Sequence, residues 1–280
     1  MSQSPDKGLN MDEDGPIRLP TERLLARIDG PVGWMVFNNP ARRNAVSLEM
    51  WEAMPLALER FEDDPAVRVI VLRGAGEQAF VAGADISQFE QQRSSAASVA
   101  HYDAISGRAT AALGQVGKPT IALIHGYCIG GGVGIAAACD LRLAADTAKF
   151  GVPAAKLGLG YAMPGVKQLM DLVGPAYTKE IFYTARHFNA AEAHAMGLVN
   201  RVVPAGELDA TVQGVCDMIA ANAPLTIHAI KRTVGELSRS LAGADQALSD
   251  RLVAACFASE DYVEGRRAFM EKRKPVFTGR

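Results

Sequence analysis

Charge of one sign, paired cysteines and long apolar runs are what this 280-residue sequence lacks. Lysine and arginine number 29 against 31 acidic residues, a formal net charge of −2. That balance gives neither nucleic acid nor a membrane surface an electrostatic reason to bind. No apolar run approaches the roughly 18 residues of a membrane span. The four cysteines, Cys128, Cys139, Cys216 and Cys256, show no CxxC spacing. His101, His187, His194 and His228 are scattered, so neither a disulfide framework nor a metal site is expected. The first twenty residues carry Asp6, Asp12, Glu13 and Asp14 among Pro5, Pro16 and Pro20. They fit neither a secretory signal nor a basic presequence, and the expectation is a loose tail, 1–20, on a cytoplasmic protein.

What is present is a soluble-globular composition, 49% hydrophobic and 21% charged. Its centre is the stretch His125-Gly126-Tyr127-Cys128-Ile129-Gly130-Gly131-Gly132-Val133-Gly134. The apolar run 119–124 before it reads as a buried strand, and the alanine-rich run after it reads as a helix. A strand feeding a glycine turn that opens a helix leaves unpaired backbone N–H groups at the helix start. Glycine lets a ligand come close to that backbone. Negative charge, resident or developing, belongs there.

In chain order, 24–28 and 34–37 read as a hairpin. Ser47 is a good N-cap for a helix to about Phe61, with a kink expected at Pro55. Val67 to Leu72 is too continuously apolar for a one-sided strand and reads as central in a sheet. Ala79 to Ile86 reads as a small-residue loop, and roughly 88–115 as helical. Strands are expected at 140–145, 148–150 and 198–203. A helix ends at Gly174-Pro175 and another starts near Ala176. Beyond Glu207 only helices are expected, at about 207–222, 224–238, 244–258 and 260–272. Strands in pairs, each pair followed by a helix, indicate an α/β chain of repeated ββα units: a core over 21–205 and a helical region over 206–280.

Ala79-Phe80-x-Ala-Gly-x-Asp85, with His125-Gly126-x-x-x-Gly-Gly-Gly132, closely resembles the enoyl-CoA hydratase/isomerase (crotonase) superfamily. Supporting matches are Arg43-Asn44-Ala45, Ala138-Cys139-Asp140-Leu141-Arg142, Phe150-Gly151-x-Pro153, Ala195-x-Gly197-Leu198-Val199 and Glu271-Lys-Arg-Lys-Pro275-x-Phe277. The resemblance runs in order from residue 21 to 280. It implies a crotonase-like (ClpP/crotonase) spiral of ββα units, with a C-terminal helical trimerisation region making homotrimers or homohexamers. It implies an acyl-CoA substrate, with coenzyme A arriving as part of that substrate and no permanently bound cofactor. By the same resemblance, the backbone N–H groups of Ala84 and Gly131 form an oxyanion hole for the thioester carbonyl. Two fixed donors at a helix start stabilise the enolate that develops there. The CoA moiety falls to Arg43, Ala45, Ala82, Asp85 and Ile86. Lys274 and Phe277, in a basic cluster with Lys272 and Arg273, are further contacts from this or a neighbouring subunit; the plain alternative is a solvated helix end.

The sequence departs from the family where the chemistry is decided. Hydratases of this kind use two glutamates to add water across a double bond. The first follows the oxyanion glycine by three residues and falls here on Gly134; the second follows the FGxP proline and falls on Ala154. Neither side chain can carry a proton. Tyr161, in Leu157-Gly-Leu-Gly-Tyr161, resembles a tyrosine of methylmalonyl-CoA decarboxylase, a crotonase relative. Lys156 is a further ionisable neighbour, more simply a surface lysine. Asp85 and Asp140 read as structural anchors, as does His125. Three readings stay open: nominal enoyl-CoA hydration, decarboxylation of a malonyl-type CoA ester using Tyr161, and acyl-CoA binding without catalysis.

Overall fold

The computed structural model describes residues 17–85, 96–157, 160–239 and 246–280. Of the expected 1–20 tail, residues 1–16 lie outside these, while Ile17 is already hydrogen-bonded to Ala26 at 2.9 Å. The hairpin forms as expected: β1 (Leu24–Asp29) pairs antiparallel with β2 (Val32–Phe37). Helix α1 (Leu48–Asp63) starts after Ser47 and runs unbroken through Pro55, with no break at the expected kink. Burial of Met54, Leu58 and Phe61 along the same face offsets the lost backbone hydrogen bond.

Two sheets then grow together. β3 (Val69–Gly74), β5 (Thr120–Ile124), β7 (Leu141–Ala145) and β10 (Arg201–Val203) extend the hairpin into a six-stranded sheet ordered β1-β2-β3-β5-β7-β10. β4 (Ala79–Val81), β6 (Tyr127–Ile129), β8 (Lys149–Gly151) and β9 (Phe188–Asn189) form a second sheet in that order. The pairs β3–β4, β5–β6 and β7–β8 each place one strand in each sheet. Helices α2 (Ala96–Gln115), α3 (Gly131–Ala138) and α4 (Met163–Thr184) follow them in turn. This is the ββα spiral the strand pairs imply. Two readings need correction: Ala79–Val81 is a strand rather than part of a loop, and Tyr127–Ile129 is a strand before the glycine turn. At three residues each, neither segment is long enough to show a period. The start of the expected 88–115 helix lies outside the described residues. Helix α4 contains both helices expected around Gly174, whose φ of +74° marks the bend between them.

The large sheet is covered on both faces, which explains its unalternating apolar runs. Ile70, Leu72, Ala122 and Ile124 face the main core with Met35 and Phe61. Val69, Val71, Ile121 and Leu123 face the opposite way, onto Leu208, Val212 and Cys216 of α6 (Leu208–Ala220). Those three residues, four apart, are one stripe of that helix. Helix α5 (Ala190–Ala195) precedes β10, and α7 (Pro224–Arg239), α8 (Gln246–Ala258) and α9 (Glu260–Glu271) complete the chain close to the expected bounds. The described cysteines, Cys128, Cys139 and Cys216, are buried free thiols; burial pushes Cys139 and Cys216 up to about 12. The Cys256 side chain lies outside the description.

Polar contacts fix α6 to the sheet. His125, buried after β5, meets the Asp209 carboxylate at 2.9 Å, and Arg73 of β3 donates to its other oxygen at 2.5 Å. Hydrogen bonding from His125, then attraction to Arg73, holds the Asp209 carboxyl below its ordinary value. Its contribution is therefore complete above the unfolded carboxyl value and fades as pH falls through the lower folded one. The carboxylate is half exposed, so it is worth about 1 kcal/mol after screening. Asp209→Asn should lower the melting temperature by about 2 °C at pH 7. The gap from the unaltered protein should close below about pH 4 in a melting series across pH.

Candidate active site between two turns

The small-residue turn after β4 and the glycine turn after β6 meet because β4 and β6 are neighbours in parallel register, Ala79 opposite Tyr127. Gly130, at φ +55°, caps α3, and its own N–H bonds to Gly151 O at 2.8 Å. The first bond inside the helix runs from Gly134 N–H to Gly130 O at 3.2 Å. The N–H of Gly131 precedes that bond and has no acceptor within the helix. A methyl group placed on Gly131 would lie 3.9 Å from the carbonyl carbon of Gly83 and 3.7 Å from Cζ2 of Trp51. On Gly132 it would collide with the Val81 carbonyl. The two turns thus lie side by side, a methyl's width apart at Gly130 and Gly131, while Gly132 alone of the three has no room for a side chain.

The other turn is fixed from the side by residues 43–46. Ala82 N–H donates to Arg43 O at 3.1 Å, Val46 N–H to Gly83 O at 2.8 Å, and Asp85 N–H to Val46 O at 3.0 Å. These bonds use the residues on either side of Ala84 and leave its N–H out of the ladder. Arg43 and Asn44 both adopt left-handed φ, +51° and +58°. The Asn44 amide compensates for that strain by donating to Ala79 O at 2.7 Å and Ala75 O at 3.1 Å, while its Oδ1 accepts from Asn39 N–H at 3.1 Å. Asparagine is one of the few side chains suited to that backbone region. The guanidinium of Arg43 stacks 4.9 Å from the centroid of Tyr127.

The structure therefore brings together Arg43, Ala45, Ala82, Ala84, Asp85 and Gly131. Asp85 is buried, 3.9 Å from Arg42 Nη1. Ile86 lies outside the described residues. Lys274 and Phe277 sit elsewhere in the same chain, on a C-terminal segment pinned to its own helices. Thr278 and Gly279 N–H groups donate to Asp261 at 2.7 and 2.9 Å, and Arg68, just before β3, reaches Phe277 O at 3.5 Å. Among the described contacts, none joins that segment to either turn. Tyr161 is half-buried before α4, its ring edge-on to Phe182 at 4.9 Å and close over Gly165. Lys156 is exposed.

The positions of the two missing carboxylates differ. A methyl at Gly134 would meet nothing within 4 Å among the described residues, whereas Ala154 is buried. Asp140 anchors structure, accepting from Thr120 N–H at 2.7 Å and Lys231 Nζ at 2.8 Å. At the far end of α3, the buried Arg142 guanidinium donates to the carbonyls of Cys139 at 2.6 Å, Ala136 at 3.3 Å and Leu198 at 2.8 Å. It ties off the helix whose start forms the glycine turn. Among the described residues no cluster of side chains could hold a metal ion.

One further residue borders the glycine turn, a second is bonded to it, and neither carries a signal in the sequence. Trp51 of α1 reads there as one apolar position among several, and Tyr102 as part of a polar, alanine-rich helix. In the fold they are joined: Trp51 Nε1 donates to the Tyr102 hydroxyl at 2.8 Å, both side chains being buried. One helical turn before Trp51, the buried Ser47 hydroxyl has no hydrogen-bond partner among the described residues.

Comparison with known proteins agrees with this geometry. The profile of the family described as enoyl-CoA hydratase/isomerase matches residues 27–280. A Mycobacterium tuberculosis protein named "Probable enoyl-CoA hydratase echA8" is 38% identical over 264 residues, covering 92% of this chain and 99% of its own. A crotonyl-CoA hydratase of Syntrophomonas wolfei is 33% identical over 256 residues, covering 91% and 98%. The crystal structure of an enoyl-CoA hydratase/carnithine racemase from Magnetospirillum magneticum superposes with a TM-score of 0.89 at 37% identity, covering 93% of this chain and 97% of that one. With a family match across nine-tenths of its length and the paired turns in place, the chain belongs to the enoyl-CoA hydratase/isomerase family of acyl-CoA enzymes.

Proposed function

We propose that this enzyme binds an acyl-CoA thioester with its carbonyl oxygen between the backbone N–H groups of Ala84 and Gly131, and works by stabilising the enolate that forms there. The observation that carries this reading is the packing of Gly83 against Gly130 and Gly131. It sets two turns side by side, one N–H lying outside the ladder that holds its turn and the other at a helix start. Each such donor contributes about 3–4 kcal/mol to barrier lowering in enzymes that use this device. Arg43, held over Tyr127, supplies a fixed cation for the phosphates of the CoA moiety. Ala45, Ala82 and Asp85 line its path, Ile86 is assigned to it by the family resemblance alone, and Lys274 and Phe277 serve a neighbouring subunit's site. No permanently bound cofactor takes part. The buried free thiols suit a reducing cytoplasm, and no described helix is long and apolar enough to cross a membrane.

The nominal reaction is the one its curated relatives are named for, addition of water to a 2-enoyl-CoA, here without the glutamate pair. Crotonyl-CoA should lose its enoyl absorbance on incubation with the enzyme; an unchanged spectrum at high enzyme concentration removes this reaction. Gly131→Ala separates site from scaffold. The added methyl would meet protein atoms only at ordinary contact distances, so melting should be unchanged while kcat/KM falls about 100-fold. Gly132→Ala, which collides with Val81, should instead lower the melting temperature.

Decarboxylation of a malonyl-type CoA ester is the second reading. It is favoured by the open space at Gly134, where no acid stands and a substrate carboxylate has room. Cleavage of that C–C bond needs the oxyanion donors and a dry pocket more than a strong base. CO2 should then be released from methylmalonyl-CoA, and Tyr161→Phe should slow it; equal rates for the two proteins would remove Tyr161 from the reaction.

Assembly as a homotrimer or homohexamer is supported by the stripe Ile230, Val234 and Leu237 on α7, each more than half exposed. Light scattering should give three or six chains per particle, and Val234→Asp should reduce the mass towards a single chain.

A further inference from the structure

The carbonyl carbon of a thioester is bonded to Cα, so a side chain that borders the two turns also borders the groups carried on Cα. We propose that Trp51 is a specificity-determining residue that limits the size of one of those groups. The group over Gly134 is free to be large, and the group against the indole must be small. This rests on the reading that the acyl carbonyl lies between Ala84 and Gly131.

Three parts of the chain meet at one point. A methyl on Gly131 would stand 3.7 Å from Cζ2 of Trp51 and 3.9 Å from the carbonyl carbon of Gly83. That carbon is bonded to the nitrogen of Ala84 through the peptide link. The indole edge therefore lies in contact range of the space that both donors border. Helix α3 raises no wall of its own there. Of its eight residues only Gly131 and Gly134 are not buried, and three positions apart they share one face. A methyl on Gly134 would meet nothing within 4 Å among the described residues. Trp51 is the one described side chain that a methyl on Gly131 would touch. The face is bare at Gly134 and bordered by an aromatic edge at Gly131.

That edge is held in place. Trp51 Nε1–H donates to the Tyr102 oxygen at 2.8 Å, joining α1 to α2, and an indole nitrogen can only donate. Trp51 is 4% exposed, so the ring cannot swing aside without opening the core it shares with Met50 and Met54. A wall that cannot retreat discriminates by size, and one extra methylene against it is worth about tenfold or more in selectivity. The edge is also apolar, so a charged group gains nothing beside it. A malonyl-type carboxylate is thereby directed to the bare Gly134 side, and a hydrogen or methyl to the indole.

The test measures binding, so it does not depend on which reaction follows. Butyryl-CoA carries one ethyl group on Cα and can place it over Gly134, whereas 2-ethylbutyryl-CoA carries two and must set one against Trp51. By titration calorimetry the unaltered protein should bind butyryl-CoA about tenfold or more tightly than 2-ethylbutyryl-CoA. Trp51→Phe, with its smaller ring, should narrow that ratio to about threefold and shift butyryl-CoA affinity less than about threefold. A second measurement leaves Trp51 in place. The chain has two tryptophans, and Trp34 packs on the opposite face of the large sheet with Leu208 and Val212. In Trp34→Phe the remaining emission should change with butyryl-CoA and not with free CoA. A folded Trp51→Phe with the original ratio, or an unaltered protein that binds both esters equally, overturns the proposal and leaves the acyl-CoA reading intact. If Trp51→Phe does not fold, Trp34→Phe decides, and emission that ignores a bound ester overturns the proposal. A protein that binds neither ester overturns the acyl-CoA reading, and this proposal with it.

Discussion

Backbone packed on backbone is the constraint on which the rest of the site depends. Gly132 has no room for a methyl beside the Val81 carbonyl, and Gly83 lies within contact of a methyl on Gly130 or Gly131. Such contact needs glycine on the α3 side, adjacent parallel strands to set the register, and something to hold each turn. The second sheet supplies the register through β4 and β6. Residues 43–46 hold one turn, and Arg142 ties off the helix that opens from the other. In the proposed reading function is a property of main-chain N–H groups, and small side chains at the turns leave them accessible. The energetic work of positioning is passed outward to Asn44 and Arg142, which are buried and spend their donors on carbonyls.

Much of this was legible in the residues. The glycine run announced a helix start with free donors, and the unalternating Val67–Leu72 run announced a sheet covered on both faces. The helical end of the chain was placed to within a few residues. The three-residue strands β4 and β6 were not legible, because their pairing is decided by neighbours far along the chain rather than by any local pattern. The pairing of Trp51 with Tyr102 escaped for the same reason: it is a contact between two helices, each of which reads as ordinary core. Lys274 and Phe277 are the opposite case. Their motif is plain, while their segment is held by Asp261, through Thr278, and by Arg68 within the chain's own fold.

Family membership establishes an acyl-CoA enzyme and leaves the proton chemistry open. Relatives at 38% identity share the family, while a reaction changes with one or two side chains in a site. At Gly134 the chain offers space where an acid would stand, and at Ala154 a buried methyl. Water addition to an enoyl thioester needs a group that takes a proton from water at neutral pH as well as one that gives a proton to carbon. Cleavage of a carboxylate from Cα needs only the second, since the departing CO2 leaves its electron pair in the enolate. With glycine at 134 and alanine at 154, the proposed site is poorly supplied with groups for taking protons. On physical grounds it is suited to enolates made by breaking a carbon–carbon bond, and to hydration only if a bound water finds its base in the substrate itself.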